Sequence, residues 1–470
     1  MSDYTDDKAP EFLFPDSVKG WFLSMSNAMI AGNVTEMGRL YDKEFATLTA
    51  NYFKQSPWPE PDVVGPLVYD DAVFMTLYTQ IYYRHMFSKL QPTIEFKQAS
   101  WDNYCAIFDG ILDASLELEA LPSQWLFDIV GEFVYQYQSF CQYRAKANAA
   151  ADLKSSMWNT KAVLSYLQRL VAISNIKAVL ADPSLPVPNE SVKELGYFAL
   201  ICLSRAHVLF GDYFTALAIL KPIDFSKRDQ LHQKSYSCNV SVYYHMGFAQ
   251  LMLGDVAASI KSFAKIILQV HRNRSYYSKF ADYDQVNKLT EKALALLMLA
   301  AHLCPGFTVE DQIHALLREK LADKQAAIQK GDLTVLADVF SFSAPKFILP
   351  GVTAESEDVS KEATALQLKL FLALVERHAA LPSLRSYVKL YRSLDVAKLA
   401  RFRGVSEASV LAEIMAFKLH AESLQSDVHF YVADGLVKVD EQKREQRTGQ
   451  YFMTQIAKLQ RVVDSCATSD

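Results

Sequence analysis

Apolar residues recur at helical spacing over long stretches of this 470-residue chain. One side of segment 124–144 carries an apolar residue at every turn: Trp125, Ile129, Phe133, Tyr137 and Phe140. The steps of about four residues predict a helix, because a strand would alternate apolar and polar positions. Similar patterns predict an N-terminal helical block over residues 16–150, after a flexible lead of residues 1–15.

Two kinds of segment interrupt the helical pattern. Segment 56–66 holds four prolines in eleven residues, which predicts a loop. The polar stretch 144–156 predicts a joint between the first helical block and a second one. Segment 345–365, which ends in an acidic stretch, predicts another loop.

The second block contains an internal repeat. Segment 207–220 aligns without gaps on segment 250–263, and both join two apolar helices through a Gly-Asp pair. The glycine can end one helix in the left-handed conformation, and the aspartate can cap the next helix. The pairs Gly211–Asp212 and Gly254–Asp255 therefore predict two helix hairpins.

The spacing within the second copy favours a tetratricopeptide-like unit. Gly247 and Phe263 stand sixteen residues apart, as the small and aromatic residues of such a unit do. The polar insert 221–239 lengthens the repeat period. We predict an all-α solenoid of stacked hairpins over residues 151–382, although two unrelated hairpins that share a Gly-Asp turn would give the same pattern.

A different unit follows at residues 383–445. Three short helices are predicted at 383–394, 395–402 and 406–420, with Asp395 and Ser406 as N-caps. Two β-rich runs then flank Asp434–Gly435, a strong hairpin signal. Three helices and a β-ribbon predict a winged helix.

Two surfaces of this C-terminal part are candidates for partner binding. The ribbon residues Phe430, Val432, Val437 and Val439 predict a strand edge that pairs with a neighbouring subunit. Residues 446–470 predict a tail helix whose apolar seam repeats every 3.5 residues: Phe452, Ile456, Leu459, Val463 and Cys466. We expect this seam to pack either on its own chain or in a bundle with other subunits.

Composition and charge exclude several classes of protein. Half of the residues are apolar, and glycine and proline number only 16 each, which disfavours disordered and turn-rich all-β chains. The net charge of −5 disfavours a generally basic nucleic-acid binder. The polar, acidic N-terminus lacks the features of a signal peptide, and no apolar stretch is long enough to span a bilayer. We expect a cytoplasmic protein without membrane contact.

No motif for catalysis or cofactor binding is present. The chain lacks phosphate-binding, dinucleotide-binding, zinc-protease and serine-hydrolase motifs, and its six cysteines are scattered. We expect reduced structural thiols, no cofactor, no metal site and no enzymatic activity.

One segment has the residue types of a single-stranded RNA contact. Segment 271–279 interleaves cationic and aromatic side chains: Arg272, Arg274, Tyr276, Tyr277 and Lys279. Cations bind phosphates and aromatic rings stack on bases, so a weak RNA contact is conceivable. An ordinary solenoid edge has the same composition. The winged helix is a weaker candidate, because its third helix offers only Lys418 as a cation.

The architecture of a helical-repeat arm, a winged helix and a tail helix resembles the PCI family, with the PCI helical part from about residue 240. This family includes subunits of the proteasome lid, the COP9 signalosome and translation initiation factor 3. Several long sequence segments are similar to the subunit L family of eukaryotic translation initiation factor 3: 52–60, 70–85, 124–144, 195–220, 317–332 and 340–347.

The resemblance implies a non-catalytic scaffold subunit of that factor, which binds the small ribosomal subunit and organises mRNA recruitment. It implies subunits K and E as neighbours. Two other functions stay open: a PCI scaffold in a related complex, and an RNA-contacting helical-repeat module.

Overall fold

The computed structural model describes these residues: 14–90, 92–116, 120–144, 157–182, 184–186, 189–227, 230–278, 283–304, 309–349, 359–420, 429–440, 449, 451–457 and 459–460. They form an all-α repeat structure that ends in a winged helix with a three-stranded sheet. The predicted fold class is therefore confirmed. No helix of this described part has the length and apolar character that crossing a bilayer requires.

In its described residues the N-terminal block has seven α-helices: α1 (Asp16–Ile30), α2 (Val34–Arg39), α3 (Phe45–Tyr52), α4 (Pro61–Val64), α5 (Ala72–Lys89), α6 (Ile94–Leu112) and α7 (Ser123–Arg144). A π-helical turn over Leu40–Glu44 joins α2 to α3. All five residues of the predicted α7 face are buried. Phe127, Val130 and Val134, on other sides of α7, are buried too, since α7 packs against both α5 and the repeat helices. It is therefore a central helix.

The sequence predicted a loop for the proline-rich segment 56–66, but part of this segment is helical. It contains α4 and a 3-10 turn over Gly65–Val68. Pro61 begins α4, where its missing N–H costs no helical hydrogen bond. Trp58 is buried, stacks on Phe45 at 4.5 Å between ring centroids and donates from Nε1 to Thr49 Oγ1 at 2.9 Å. The contacts of Trp58 therefore anchor this proline-rich segment to the core.

The repeat region continues with eleven helices: α8 (Thr160–Ile173), α9 (Ile176–Ala181), α10 (Glu190–Phe210), α11 (Tyr213–Leu220), α12 (Leu231–Lys234), α13 (Tyr236–Met252), α14 (Val256–Arg272), α15 (Arg274–Tyr277), α16 (Tyr283–Leu303), α17 (Asp311–Gln329) and α18 (Leu333–Ser343). Both predicted hairpins are present. Gly211 and Gly254 have φ of 81° and 85°, and Asp212 and Asp255 accept from the backbone N–H groups of Thr215 and Ala258.

A third Gly-Asp turn joins α17 to α18. The internal repeat that aligned segment 207–220 on segment 250–263 did not include it. Gly331 has φ of 87°, and Asp332 accepts from the N–H groups of Thr334 and Val335. The polar insert 221–239 is also more ordered than its composition suggested. Its second half forms α12 and the first turn of α13, where His232 and Cys238 are buried.

The small residue at position 247 lets α13 and α14 approach closely. A Cβ atom built on Gly247 would lie 2.7 Å from Cε1 of Phe263. This contact is the one expected inside a tetratricopeptide-like unit, so the repeat prediction is confirmed for this hairpin.

We predict that Gly247→Ala lowers the free energy of unfolding by about 1–3 kcal/mol, the usual cost of overpacking a core. Urea unfolding checks this. Gly20→Ala is the matched control, because a Cβ at Gly20 would meet nothing within 4 Å; equal losses for both variants would contradict the close contact.

The C-terminal part comprises α19 (Val359–Leu390), β1 (Ser393–Asp395), α20 (Val396–Arg403), α21 (Glu407–His420), β2 (His429–Ala433) and β3 (Leu436–Asp440). The strand order is β1-β3-β2, all antiparallel. The predicted caps are present: Asp395 accepts from the N–H of Ala397, and Ser406 from that of Ser409. Asp434 and Gly435 have φ of 53° and 72°, as a tight hairpin turn requires.

Helix α19 differs from its prediction. It begins within the expected loop 345–365 and continues past residue 382, where a separate helix was expected to start. Its first half, to Val375, packs in the large core of the repeats, and its second half, from Leu381, packs in the core of the winged helix. One continuous helix thus joins the two cores, and the domain division at 382/383 stays a prediction.

Candidate interaction surfaces

The tail helix carries exposed apolar side chains. Residues 451–457 and 459–460 are helical, and Phe452, Ile456 and Leu459 are 57%, 55% and 65% exposed. None of these three belongs to either buried core of the chain. The seam residues Val463 and Cys466 lie outside the described residues. The described part of the seam is therefore not covered by the chain's own solenoid or winged helix.

The prediction that β3 offers an unpaired strand edge is wrong. This strand lies in the centre of the sheet, because the three-residue strand β1 pairs with it. Val439 donates its N–H to the carbonyl oxygen of Arg392 at 2.9 Å, and Val437 pairs with Leu394. The short strand β1 has too few residues to give a sequence signal of its own.

Strands β1 and β2 are the two edges of the described sheet, and β2, with five residues, is the longer of them. In an antiparallel hairpin, pairs that exchange hydrogen bonds alternate with pairs that do not. Tyr431 and Lys438 form a pair that exchanges hydrogen bonds. The backbone N–H and C=O groups of the neighbouring residues Phe430 and Val432 therefore point away from β3. The side chain of Phe430 is buried in the winged-helix core. The available surface is thus the backbone edge of β2.

The third helix of the winged helix presents an apolar surface. Val410, Ile414 and Phe417 of α21 are buried, whereas Leu411 and Met415 are 38% and 60% exposed. The sparse charge of this helix gives no sign of the exposed pair Leu411 and Met415 in the linear sequence. An exposed apolar surface suits contact with protein better than contact with DNA phosphates.

The structure divides the described residues of the RNA candidate segment 271–279 between the core and the surface. Tyr277 is buried, and Gln269 donates to its hydroxyl at 3.4 Å. Arg272 already contacts Glu310 at 2.7 Å. Arg274 and Tyr276 are exposed, and Lys279 lies outside the described residues. A helical turn at Arg274–Tyr277 rotates the two tyrosines to different sides, which the linear spacing did not indicate.

The described residues hold no group of three or more His, Cys, Asp or Glu side chains that could bind a metal ion. The five described cysteines form no disulfide, and four of them are buried. Burial raises the pKa of Cys141 to about 11 and that of Cys202 to about 12. These thiols are therefore protonated and unreactive at neutral pH.

Two buried histidines in the repeats are held neutral. Burial, aided by the positive charge of Lys265, lowers the pKa of His232 to about 4. Burial, aided by Arg205, lowers the pKa of His245 to about 3. His245 donates from Nδ1 to the carbonyl oxygen of Ser241 at 2.7 Å. Both side chains therefore serve packing.

These histidines predict a loss of stability in mild acid. The folded pKa values lie below the unfolded value of about 6.5, so stability is full above that pH and falls as the pH drops toward 4. We expect the pair to lower the free energy of unfolding by about 4 kcal/mol between pH 7 and pH 5. Urea unfolding at both pH values measures the loss, and His232→Gln with His245→Gln should reduce it; an unchanged pH dependence in that variant would contradict the assignment.

Comparison with known proteins finds relatives that match most of this chain. The family model described as "RNA polymerase I-associated factor PAF67" matches residues 97–459. The chain is 33% identical over 491 aligned positions to eukaryotic translation initiation factor 3 subunit L of Nematostella vectensis, covering 97% of this chain and 93% of the relative. It is 36% identical to the subunit L proteins of Xenopus laevis and Homo sapiens, covering 90% of this chain and 82% and 81% of the relatives.

The matches extend over nearly the whole chain, including the repeats, the winged helix and most of the described tail helix. The helical repeats and the winged helix are the architecture on which the resemblance was based. The chain belongs to the family of eukaryotic translation initiation factor 3 subunit L.

Proposed function

We propose that this chain is a non-catalytic scaffold subunit of eukaryotic translation initiation factor 3 that acts in the cytoplasm. In this role it supports binding of the factor to the small ribosomal subunit and recruitment of mRNA. The observation that carries the proposal is similarity to subunit L proteins over 90–97% of the chain. The exposed seam of the tail helix supports it, because a scaffold needs such a contact surface.

We further propose that subunits K and E are its neighbours in the complex and that the tail helix bundles with tail helices of other subunits. Cross-linking of the purified complex, followed by mass spectrometry, tests this. We expect cross-links from Lys398, Lys418 and Lys438 of the winged helix to subunits K or E. Cross-links that reach only other subunits would contradict the proposed neighbours.

The free edge of β2 gives a second contact in this proposal, by pairing with a strand of a neighbouring subunit. Val432→Pro removes an N–H that points out of the sheet, so the wing should still fold while recovery of neighbours falls several-fold. Co-purification with quantitative mass spectrometry measures the recovery. Unchanged recovery with a folded Val432→Pro protein would exclude edge pairing through β2.

The two other candidate functions have less support. The curated relatives reported above carry the name of initiation factor 3, and neither the proteasome lid nor the COP9 signalosome. The RNA-contacting module loses Tyr277 to the core and has Arg272 bound to Glu310.

A further inference from the structure

A cleft of about 540 Å³ runs along the outer face of α14. The residues of α14 that line it are Lys261, Ala264, Lys265, Leu268, Gln269 and Arg272, and Glu310 lies on its other side. A volume of this size is typical of ligand-binding clefts. This cleft is separate from the tail helix, the edge of β2 and the exposed face of α21.

Lys265 places a fixed positive charge in the cleft wall. Its Nζ donates to the carbonyl oxygen of Phe225 at 2.8 Å and lies 4.8 Å from the centre of the Tyr243 ring. Both partners are neutral, and the carboxylate of Asp224 acts on this amine from beyond ion-pair distance, where it raises the pKa of Lys265. Partial burial lowers the pKa of Lys265, and an incoming carboxylate would offset that cost of desolvation.

Arg272 closes one end of the cleft through an exchangeable contact. Its guanidinium contacts Glu310 at 2.7 Å and donates from Nε to Gln312 at 3.2 Å. The side chains of Arg272 and Glu310 are 54% and 57% exposed, so the pair contributes little to stability. A guanidinium has five N–H donors, which leaves room for a second carboxylate.

Between these cations the floor has two apolar residues, Ala264 and Leu268, with the polar side chain of Gln269 beside them. Ala264 and the buried side of Leu268 separate Lys261 and Lys265 from Arg272. From Lys261 to Arg272 the helix advances eleven residues, or about 16 Å at 1.5 Å per residue. That length suits several residues of a peptide better than one small molecule.

We propose that this cleft binds an acidic peptide segment of a partner protein, with carboxylates on Lys265 and Arg272 and an apolar side chain on the floor. Charge complementarity supports this occupant, because the cleft is basic on a chain of net charge −5. RNA fits less well, since single strands bind through bases stacked on aromatic rings, and no aromatic side chain is among the described residues that line the cleft.

Selection of a displayed library of random dodecapeptides on the full chain tests the proposal. Three variants are compared with the wild type. Lys261→Glu with Arg272→Glu reverses the charge, Ala264→Phe fills the floor at constant charge, and Lys177→Glu changes an exposed lysine on α9 as a control. Circular dichroism and melting temperature show whether each variant is folded.

We expect the wild type and Lys177→Glu to select a consensus of Asp or Glu with one apolar residue. A labelled consensus peptide should bind the charge variant at least tenfold more weakly and Ala264→Phe at least fivefold more weakly, and a twelve-nucleotide uridine RNA should not displace it. A consensus without acidic residues, equal binding by all folded variants, or displacement by the RNA would overturn the proposal.

Discussion

Asp128→Ala should lower the free energy of unfolding by about 3–5 kcal/mol, the cost of leaving a buried charge without its partner. Asp128 is buried in α7, and its Oδ2 lies 2.8 Å from Nη1 of Arg84. Tyr41 donates its hydroxyl to the same oxygen at 2.9 Å. The variant would leave the guanidinium of Arg84, itself only 17% exposed, without its closest carboxylate.

The same carboxylate connects the N-terminal block to the repeats. Gln124 donates from Nε2 to Asp128 Oδ1 at 3.0 Å and to the hydroxyl of Ser237 at 2.6 Å. Ser235 donates to Oε1 of Gln124 at 2.8 Å. Because these serines belong to the start of α13, we expect Asp128→Ala to weaken the contact between the two helical regions as well.

Urea unfolding and hydrogen exchange of the α7 amides measure both effects. Glu291→Ala is the matched control, because its ion pair with Lys320 has side chains 42% and 41% exposed and should contribute at most about 1 kcal/mol. A loss below 1 kcal/mol for Asp128→Ala would show that the buried network does not hold the regions together.

Ile456→Asp combined with Leu459→Asp should reduce recovery of the chain in its complex at least tenfold. Both side chains are more than half exposed in the isolated chain, so the substitutions cost no core packing there. In a bundle they would place two charges inside an apolar seam, where an unpaired charge is strongly unfavourable. The melting temperature of the isolated chain should stay within about 2 °C of the wild type.

Ala457→Asp combined with Gln460→Asp is the matched control for the tail. It adds the same two charges to exposed positions of the same helix, outside the predicted seam. We expect normal recovery in the complex. Equal loss for both variants would indicate a general charge effect, and a large fall in the melting temperature for Ile456→Asp with Leu459→Asp would instead indicate packing on the chain itself.

Local sequence signals predicted much of the fold. The Gly-Asp pairs, the caps at Asp395 and Ser406, and the turn at Asp434–Gly435 depend on the chemistry of adjacent residues, so a linear pattern contains them. The contact between Gly247 and Phe263 could be predicted because the spacing of a repeat unit is fixed.

Features that depend on distant pairing could not be predicted. Strand β1 exists because β3 lies beside it, and this pairing turned the predicted edge residues Val437 and Val439 into central ones. The burial of Tyr277 also depends on tertiary packing, because the helical turn at Arg274–Tyr277 places its ring in the core. The α14 cleft could not be predicted either, because Lys261 and Lys265 form a surface only together with the residues around Glu310.

The mass of the particle that contains this chain tests the scaffold role most directly. The chain is purified under gentle conditions from the cells that produce it and weighed by native mass spectrometry. We predict a multi-subunit particle that contains other subunits of initiation factor 3, and its loss when residues 448–470 are removed. A wild-type chain that runs as a free 53.0 kDa monomer would contradict the scaffold role.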